Sequence, residues 1–284
     1  MTPRPPPRRS RPAPNRRGPT TSRSSSPDGL GGEQVEGRQA VRELLRARRR
    51  RVHQILVADG VDEAGVIAEI IGLAQEARVP MRKVGRDQLD AVALTDAPQG
   101  VIARADAISD TDLRMLAARS PGNRPPFLLV LDGVTDPHNL GAVMRSGLCA
   151  GATGVVLGRH RAARLTPSAV KAAAGAVEYL PIATVPGIPA ALAVLADAGL
   201  WTVGLVPAAP TTLWDLRVAT EAVALVLGAE GKGLSRLARQ RCDVAVAIPV
   251  HPPLDSLNVS AAAALACFEV ARRRGMASRP EPMG

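Results

Sequence analysis

Aromatic residues are scarce in this chain: two Trp, two Phe and one Tyr, 2% of 284 residues. That excludes a stacking platform of the kind single-strand-binding domains build from successive rings. Cysteine is equally thin, with Cys149, Cys242 and Cys267 far apart. No CxxC pair or Cys/His ligand spacing occurs, which argues against a structural zinc and for a reducing cytoplasm. No run approaches the roughly 18 apolar residues that a membrane span needs, and the first residues lack the apolar segment of a signal peptide. The expectation is a soluble, cytoplasmic protein, long enough to build a core without disulfides or metals.

Acidic residues are outnumbered, 26 against 36 Lys and Arg, for a formal charge of +10. Residues 1–30 hold seven arginines against Asp28 alone, a net +6, which leaves +4 for the remainder. A second basic cluster, Arg42, Arg46 and Arg48 to Arg51 with Glu43 the only acid among them, lies in the first folded region. Each cation set on a phosphate releases condensed counterions, so two such clusters favour a polyanion, nucleic acid above all. An arginine-rich tail also solubilises, and the tail alone does not decide between the two roles.

Residues 1–32 mix Pro, Arg, Ser and Gly without apolar periodicity. Such a stretch buries too little surface to offset its ordering entropy, and a disordered tail is expected. From Glu33 the pattern changes. Val41, Leu44 and Leu45 recur at helical spacing, VHQILVA at 52–58 reads as a strand and VIAEIIGLAQEA at 66–77 as an amphipathic helix. MRKV at 81–84 and QGVIARA at 99–105 read as further strands, predicting a small α/β domain over 33–105. Residues 106–125 have linker composition apart from a helical patch at 113–117.

A second domain is expected over 126–275, before a flexible terminus at 276–284. It opens on FLLVLDGV at 127–134, an apolar run suited to a strand buried on both faces of a parallel sheet. Strand-like segments at 154–157, 180–185, 201–206, 222–227 and 244–248 alternate with helical ones at 138–150, 167–177, 187–198, 233–240 and 257–274. The fold class is therefore α/β, with a mostly parallel sheet covered by helices on both faces.

Three stretches hold more than a core needs. In LDGVTDPHNLGAVMRS, 131–146, Asp136 and Pro137 make a turn after the strand, Asn139 can begin a helix, and Arg145 follows one and a half turns on. A capped helix with a solvated Arg145 would account for the composition. What favours a site is the place, the C-terminal edge of a buried strand, where open α/β sheets bind ligands. GAEGKG at 228–233 fails as a phosphate loop, which needs four residues between its glycines and Ser or Thr after the Lys. What remains is Glu230 on a loop loose enough for close backbone approach, or a Glu that caps the next helix. SLNVS at 256–260 opens the last helix, and Ser256, Asn258 and Ser260 are more polar groups than one helix start requires. His138, His160 and His251 lack partners at ligand spacing, so no metal is expected; Asp132 and Asp136 read as turn residues.

Taken together and in this order, LDGVTDPHNLGAVMRS, LVLGAEGKGL (225–234) and IPV…SLNVSAA (248–262) resemble the three motifs of the SpoU, or TrmH-like, branch of the SPOUT RNA methyltransferases, over the whole of 127–274. The stretch 35–60, VEGRQAVRELLRARRRRVHQILVADG, is similar to the L30e-like RNA-binding domain that precedes the catalytic domain in 23S rRNA guanosine-2′-O-methyltransferases. The resemblance implies methyl transfer from S-adenosylmethionine to a ribose 2′-hydroxyl. It also implies a deep C-terminal trefoil knot, an exception to the usual absence of knots. A homodimer is implied too, with the active site near its interface and the last helix partly facing the partner. By motif position, Asn139, Arg145, Glu230, Ser256 and Asn258 are implied as catalytic residues, and the backbone at Gly228, Ile248 and Leu257 as cofactor-binding.

In that scheme Arg145 binds RNA phosphate and activates the hydroxyl, Asn139, Glu230 and Asn258 orient the ribose and the arginine, and Ser256 holds the loop. No metal is needed, because the leaving group is a neutral thioether. The alternatives are a tRNA or antibiotic-resistance-type rRNA enzyme and, in another class, a non-catalytic RNA-binding or ribosome-assembly protein that keeps the fold. Two departures stand out. HPPLD at 251–255 replaces a glycine of the relatives with a stiffer loop carrying Pro252 and Pro253, and Gln39 stands where Asn is common.

Overall fold

The computed structural model describes residues 29–118, 124–159 and 164–275. Most of the expected tail, His160 and the terminus at 276–284 lie outside the described residues. The first domain runs β1 (Gln34–Glu36), α1 (Arg38–Ala47), β2 (Val52–Ala58), α2 (Val66–Glu76), β3 (Met81–Val84), α3 (Arg86–Val92) and β4 (Val101–Ala105). Its mixed sheet has the order β1-β4-β2-β3, with only β2 and β3 parallel. In α1 the apolar positions Ala40, Val41, Leu44 and Leu45 share one face and all are buried, which is why this arginine-rich stretch is helical. The short β1 is held by Glu36, a fully buried carboxylate. It accepts from Gln34 Nε2, the backbone N–H groups of Leu94 and Thr95, and the Thr95 hydroxyl. Each of its oxygens thus accepts two hydrogen bonds, which offsets the cost of burying the charge.

The second domain comprises α4 (Leu113–Ala117), β5 (Phe127–Asp132), α5 (Pro137–Cys149), β6 (Gly154–Gly158), α6 (Pro167–Ala172), β7 (Ile182–Val185), α7 (Ile188–Asp197), β8 (Trp201–Leu205), β9 (Thr211–Thr212), β10 (Val223–Gly228), α8 (Arg236–Arg241), β11 (Val244–Ala247) and α9 (Val259–Arg273). Its seven strands are all parallel, in the order β7-β6-β5-β10-β8-β11-β9. Side chains of β5 alternate between the two faces. Phe127, Leu129 and Leu131 pack with α5, α6 and α9, while Leu128 and Val130 pack with α4, α7 and α8. Both faces are dry, as the unbroken apolar run requires. Where α5 crosses α6, Gly141 leaves room that a Cβ would lose, since it would come 2.5 Å from the Ala169 carbonyl oxygen.

The stretch of linker composition is only partly a linker. Thr111 N–H donates to the Ile182 carbonyl at 2.8 Å and Asp110 accepts from Thr184 N–H at 2.8 Å, laying this segment along the outer edge of β7. Leu116 of α4 is then fully buried against the sheet. Residues 29–32, placed in the tail by composition, are also ordered. Gly31 bridges to Leu165 of the second domain, and Leu30 N–H donates to the Ile108 carbonyl at 2.8 Å.

The basic cluster of the first domain does not form the free cationic patch that its sequence suggests. Arg42 and Arg46 pair with Glu43 and Glu69, and Arg48 with Glu76. Arg49 donates to the Tyr179 carbonyl at 3.0 Å. Arg50 makes a two-point pair with Glu178 at 2.9 and 2.6 Å and donates to the carbonyls of Gly32 and Asp106. Most of these charges therefore hold α1 to its own domain or to the next one. At the same seam the Tyr179 hydroxyl donates to Glu43 at 2.8 Å. Burial pushes the Glu43 carboxyl up, but the hydrogen bonds from Tyr179 and Arg42 and the charges of Arg42 and Arg46 outweigh it and hold it below the usual range. A carboxyl so depressed adds stability above its unfolded pKa and loses it as pH falls through the folded value. The seam therefore keeps this contribution at neutral pH.

Candidate active site

Strands β5 and β10 lie side by side with Asp132 opposite Gly228, so the loops that leave them start at the same height on the C-terminal edge of the sheet. That edge is where the chain's unusual polar residues collect. After β10, Ala229 and Gly233 exchange backbone hydrogen bonds at 3.1 and 2.8 Å, closing a tight loop with Glu230 next to its first strut. Gly228 must be glycine here, because a Cβ would come 2.1 Å from the Gly233 carbonyl carbon.

The two helix starts that face this loop are each capped in a way that aims an amide at Glu230. Asp136, not Asn139, caps α5: its Oδ1 accepts from the N–H groups of His138 and Asn139 at 2.6 and 3.1 Å. The Asn139 side chain is left to donate from Nδ2 to Glu230 Oε1 at 2.5 Å. At α9 the cap is Asn258, whose Oδ1 accepts from Ser260 N–H at 2.8 Å while its Nδ2 donates to the same Glu230 oxygen at 2.7 Å. An amide has one acceptor end and one donor end, and Asn258 uses both. Glu230 has no capping role, since α8 is capped by Ser235. One carboxylate oxygen thus ties together three segments far apart in sequence.

Ser256 donates to Asp255 Oδ1 at 3.0 Å and caps nothing. Arg145 is exposed and makes no hydrogen bond among the described residues. It lies six residues beyond Asn139 on α5, roughly 9 Å along the axis. The structure therefore joins Asn139, Glu230 and Asn258 directly and leaves Arg145 and Ser256 outside that hydrogen-bonded set.

A cavity of about 300 Å³ opens beside Glu230, lined by Gly228, Ile248 and Leu257 together with Ser256 and Asp255. Its deeper wall is apolar, with Leu205, Val246 and Val259, so it offers a greasy slot with a polar mouth. A second and larger cavity, about 920 Å³, lies on the other side of the 229–233 loop. Asp132, Asp136 and Lys232 line it, residues that sequence reasoning took as turn or loop positions. Asp132 ends a buried strand on the ligand-binding edge, the signal that singled out Asn139, and the same argument applied to it would have found it.

Comparison with known proteins bears on this arrangement. The model of the SpoU rRNA Methylase family matches residues 126–268, and that of the RNA 2′-O ribose methyltransferase substrate binding domain matches residues 34–110. The chain is 39% identical over 251 residues to the 23S rRNA (guanosine-2′-O-)-methyltransferase RlmB of Pseudomonas syringae, covering 87% of this chain and 98% of that one. Among solved structures, an RNA 2′-O ribose methyltransferase superposes with a TM-score of 0.70 at 27% identity, over 86% of this chain and 89% of the other. The SpoU methyltransferase AviRb from Streptomyces viridochromogenes, solved in complex with the cofactor AdoMet, shares the fold at a TM-score of 0.70 and 24% identity, over 87% and 91% of the two chains.

Proposed function

The chain belongs to the SpoU rRNA methylase family, and from that premise we propose that it methylates the ribose 2′-hydroxyl of a guanosine in 23S rRNA. It is an S-adenosylmethionine-dependent RNA 2′-O-methyltransferase. The observation that carries the site assignment is the single Glu230 oxygen receiving the amides of Asn139 and Asn258 at the mouth of the smaller cavity.

That cavity fits the cofactor. The apolar wall of Leu205, Val246 and Val259 suits an adenine ring, and the backbone at Gly228, Ile248 and Leu257 offers hydrogen-bonding groups around it. The carboxylates of Glu230 and Asp255 at the mouth suit a cationic sulfonium. When bound, S-adenosylmethionine supplies an electrophilic methyl group and leaves as a neutral thioether. The residues of the chain do the positioning. Asn139, Glu230 and Asn258 form a rigid bracket that orients the ribose for in-line attack, and Ser256 holds the loop through Asp255. Arg145, exposed on the same edge, binds the phosphate beside the target. Its charge favours loss of the hydroxyl proton and stabilises the negative oxygen that develops.

The first domain presents the RNA, and the protein works as a homodimer in the cytoplasm. Support for the dimer comes from α9, where Leu265 and Phe268 are 41% and 46% exposed one turn apart, a face that a second copy would cover. No helix among the described residues is long and apolar enough to cross a membrane.

The test is methyl transfer by the full chain to a 23S rRNA transcript, followed by nucleotide-resolution mapping of 2′-O-methylation. One modified guanosine is expected; modification confined to tRNA would overturn the proposal. In the same assay Arg145→Ala is expected to lower turnover about 10²–10³-fold. Calorimetric titration should find its cofactor affinity unchanged, and wild-type turnover would remove Arg145 from the mechanism. Gly228→Ala acts on the other term. Pushing a Cβ against the 233–234 backbone should weaken cofactor binding about 5- to 150-fold, the range that about 1–3 kcal/mol of overpacking gives. A calorimetric affinity equal to wild type would show that the loop yields without cost.

A further inference from the structure

The smaller cavity accounts for the cofactor, and of the residues that line the larger one that reading uses only Asn139 and Glu230. The two are separated only by the 229–233 loop, and Ala229, Glu230 and Gly233 line both. A group held in the larger cavity would therefore meet the smaller one across Glu230, the residue that orients the ribose. At its floor stands Asp132, half-buried at the end of β5. Its Oδ2 accepts from Ser235 N–H at 2.7 Å, while Oδ1 has no partner among the described residues. That oxygen is therefore free to accept a hydrogen bond from a ligand in the cavity. Lys232 lines the same cavity, and Ile188, Pro189 and Leu234 give it apolar sides against which a flat ring can lie. On α8, which follows, Arg236 and Arg239 are exposed and make no ion pair among the described residues, which sets two cations against the Asp136 and Glu230 carboxylates of the lining.

We infer that this cavity receives the target base, turned out of its RNA stack, and that Asp132 reads it as guanine. The inference rests on the proposed transfer to a ribose hydroxyl and adds to it the residue that selects the nucleotide. Enzymes that act on one nucleotide commonly extrude it, hold the base between apolar side chains and read its Watson–Crick edge. Guanine offers two adjacent donors on that edge, N1–H and the N2 amino group, beside the O6 acceptor. Asp132 Oδ1 is an acceptor for the first two, and Lys232 a donor for the third. Adenine would place a bare N1 acceptor against the carboxylate, and uracil a single donor flanked by carbonyls. Both leave the charge poorly met, so the site discriminates by what it leaves unpaired.

The experiment uses the full chain and RNA in which the mapped target guanosine is replaced by inosine, which lacks only the 2-amino group, or by adenosine. With wild-type protein kcat/KM should fall about 10- to 100-fold for inosine, as expected for losing one hydrogen bond to a charged group, and further for adenosine. Asp132→Asn keeps an oxygen for Ser235 N–H but swaps the free acceptor for a donor. It should lower kcat/KM on guanosine about 100-fold and bring the guanosine-to-inosine ratio close to one, with cofactor affinity unchanged by calorimetry. A wild-type ratio in Asp132→Asn would overturn the inference. So would loss of cofactor binding in that variant, because Asp132 would then serve only to brace the loop at Ser235. If the wild-type protein modifies no guanosine in 23S rRNA, the proposed function fails instead, and the two failures are told apart by which protein shows them.

Discussion

Glu230→Ala is expected to lower kcat about 10²–10³-fold, the usual cost of removing one preorganised polar contact at a reacting centre. The reason is geometric. A single oxygen of Glu230 receives Asn139 Nδ2 and Asn258 Nδ2, so its loss frees two amides on two different helices at once. The helices themselves survive, because α5 keeps its Asp136 cap and Asn258 keeps its bond from Ser260 N–H. Glu230→Gln is the informative partner. A carboxamide oxygen can accept both amides, so if orientation is the contribution, Gln should retain activity within about tenfold of wild type. Single-turnover methyl transfer with the three proteins reads this directly. Gln as inactive as Ala would mean that the negative charge matters rather than the bracket, and wild-type rates for Ala would remove Glu230 from the mechanism. Asn139→Ala and Asn258→Ala, acting through one oxygen, should combine with Glu230→Ala for less than the sum of their separate effects.

The second large effect concerns stability. Arg50→Ala should destabilise the protein by about 3–5 kcal/mol, because it strands a buried carboxylate. The side chains of Arg50 and Glu178 are only 7% and 2% exposed, and no other cation pairs with Glu178 among the described residues. Arg50 also carries the carbonyls of Gly32 and Asp106, so three segments lose a donor together. Breaking a buried pair is far worse than replacing it. The double variant Arg50→Met with Glu178→Leu should therefore recover most of the loss. Thermal unfolding of the two variants decides the point: a single variant that melts with wild type, or a double variant no better than the single, would show that the pair is solvated in solution. Because the two domains meet at this pair, the single variant should also separate their unfolding into two transitions.

Much of this architecture is written in local pattern. The β2 range follows from a run rich in β-branched and apolar residues, and β5 from five unbroken apolar residues, Phe127 to Leu131, that only a sheet covered on both faces can bury. What local pattern misses is structure held by distant partners. The three residues of β1 and the two of β9 have no periodicity to read, and they exist because β4 and β11 supply their hydrogen bonds. The arginines at 42–50 look alike in sequence, yet most are spoken for by acids that lie near them only after folding. At the site, residue types and their place on the sheet edge pointed to Asn139, Glu230 and Asn258. That the three would converge on one oxygen could not be read, since it depends on Asp136 taking the capping duty from Asn139. Asp132 carries the same strand-end signal as Asn139, and what its sequence does not show is the Ser235 N–H that occupies one of its oxygens and leaves the other free.

The segment between the domains has a further consequence, for the behaviour of the protein in a crowded solution. A parallel sheet with open sides offers bare N–H and C=O rows on which another chain can template itself. Here one side is occupied by Asp110 and Thr111, bonded to Ile182 and Thr184, and the other ends in the two-residue β9, too short to seed growth. The tether that brings the RNA-presenting domain to the catalytic one therefore also shields the sheet from end-on polymerisation. Its length is constrained by the edge it must cover as much as by the distance it must span.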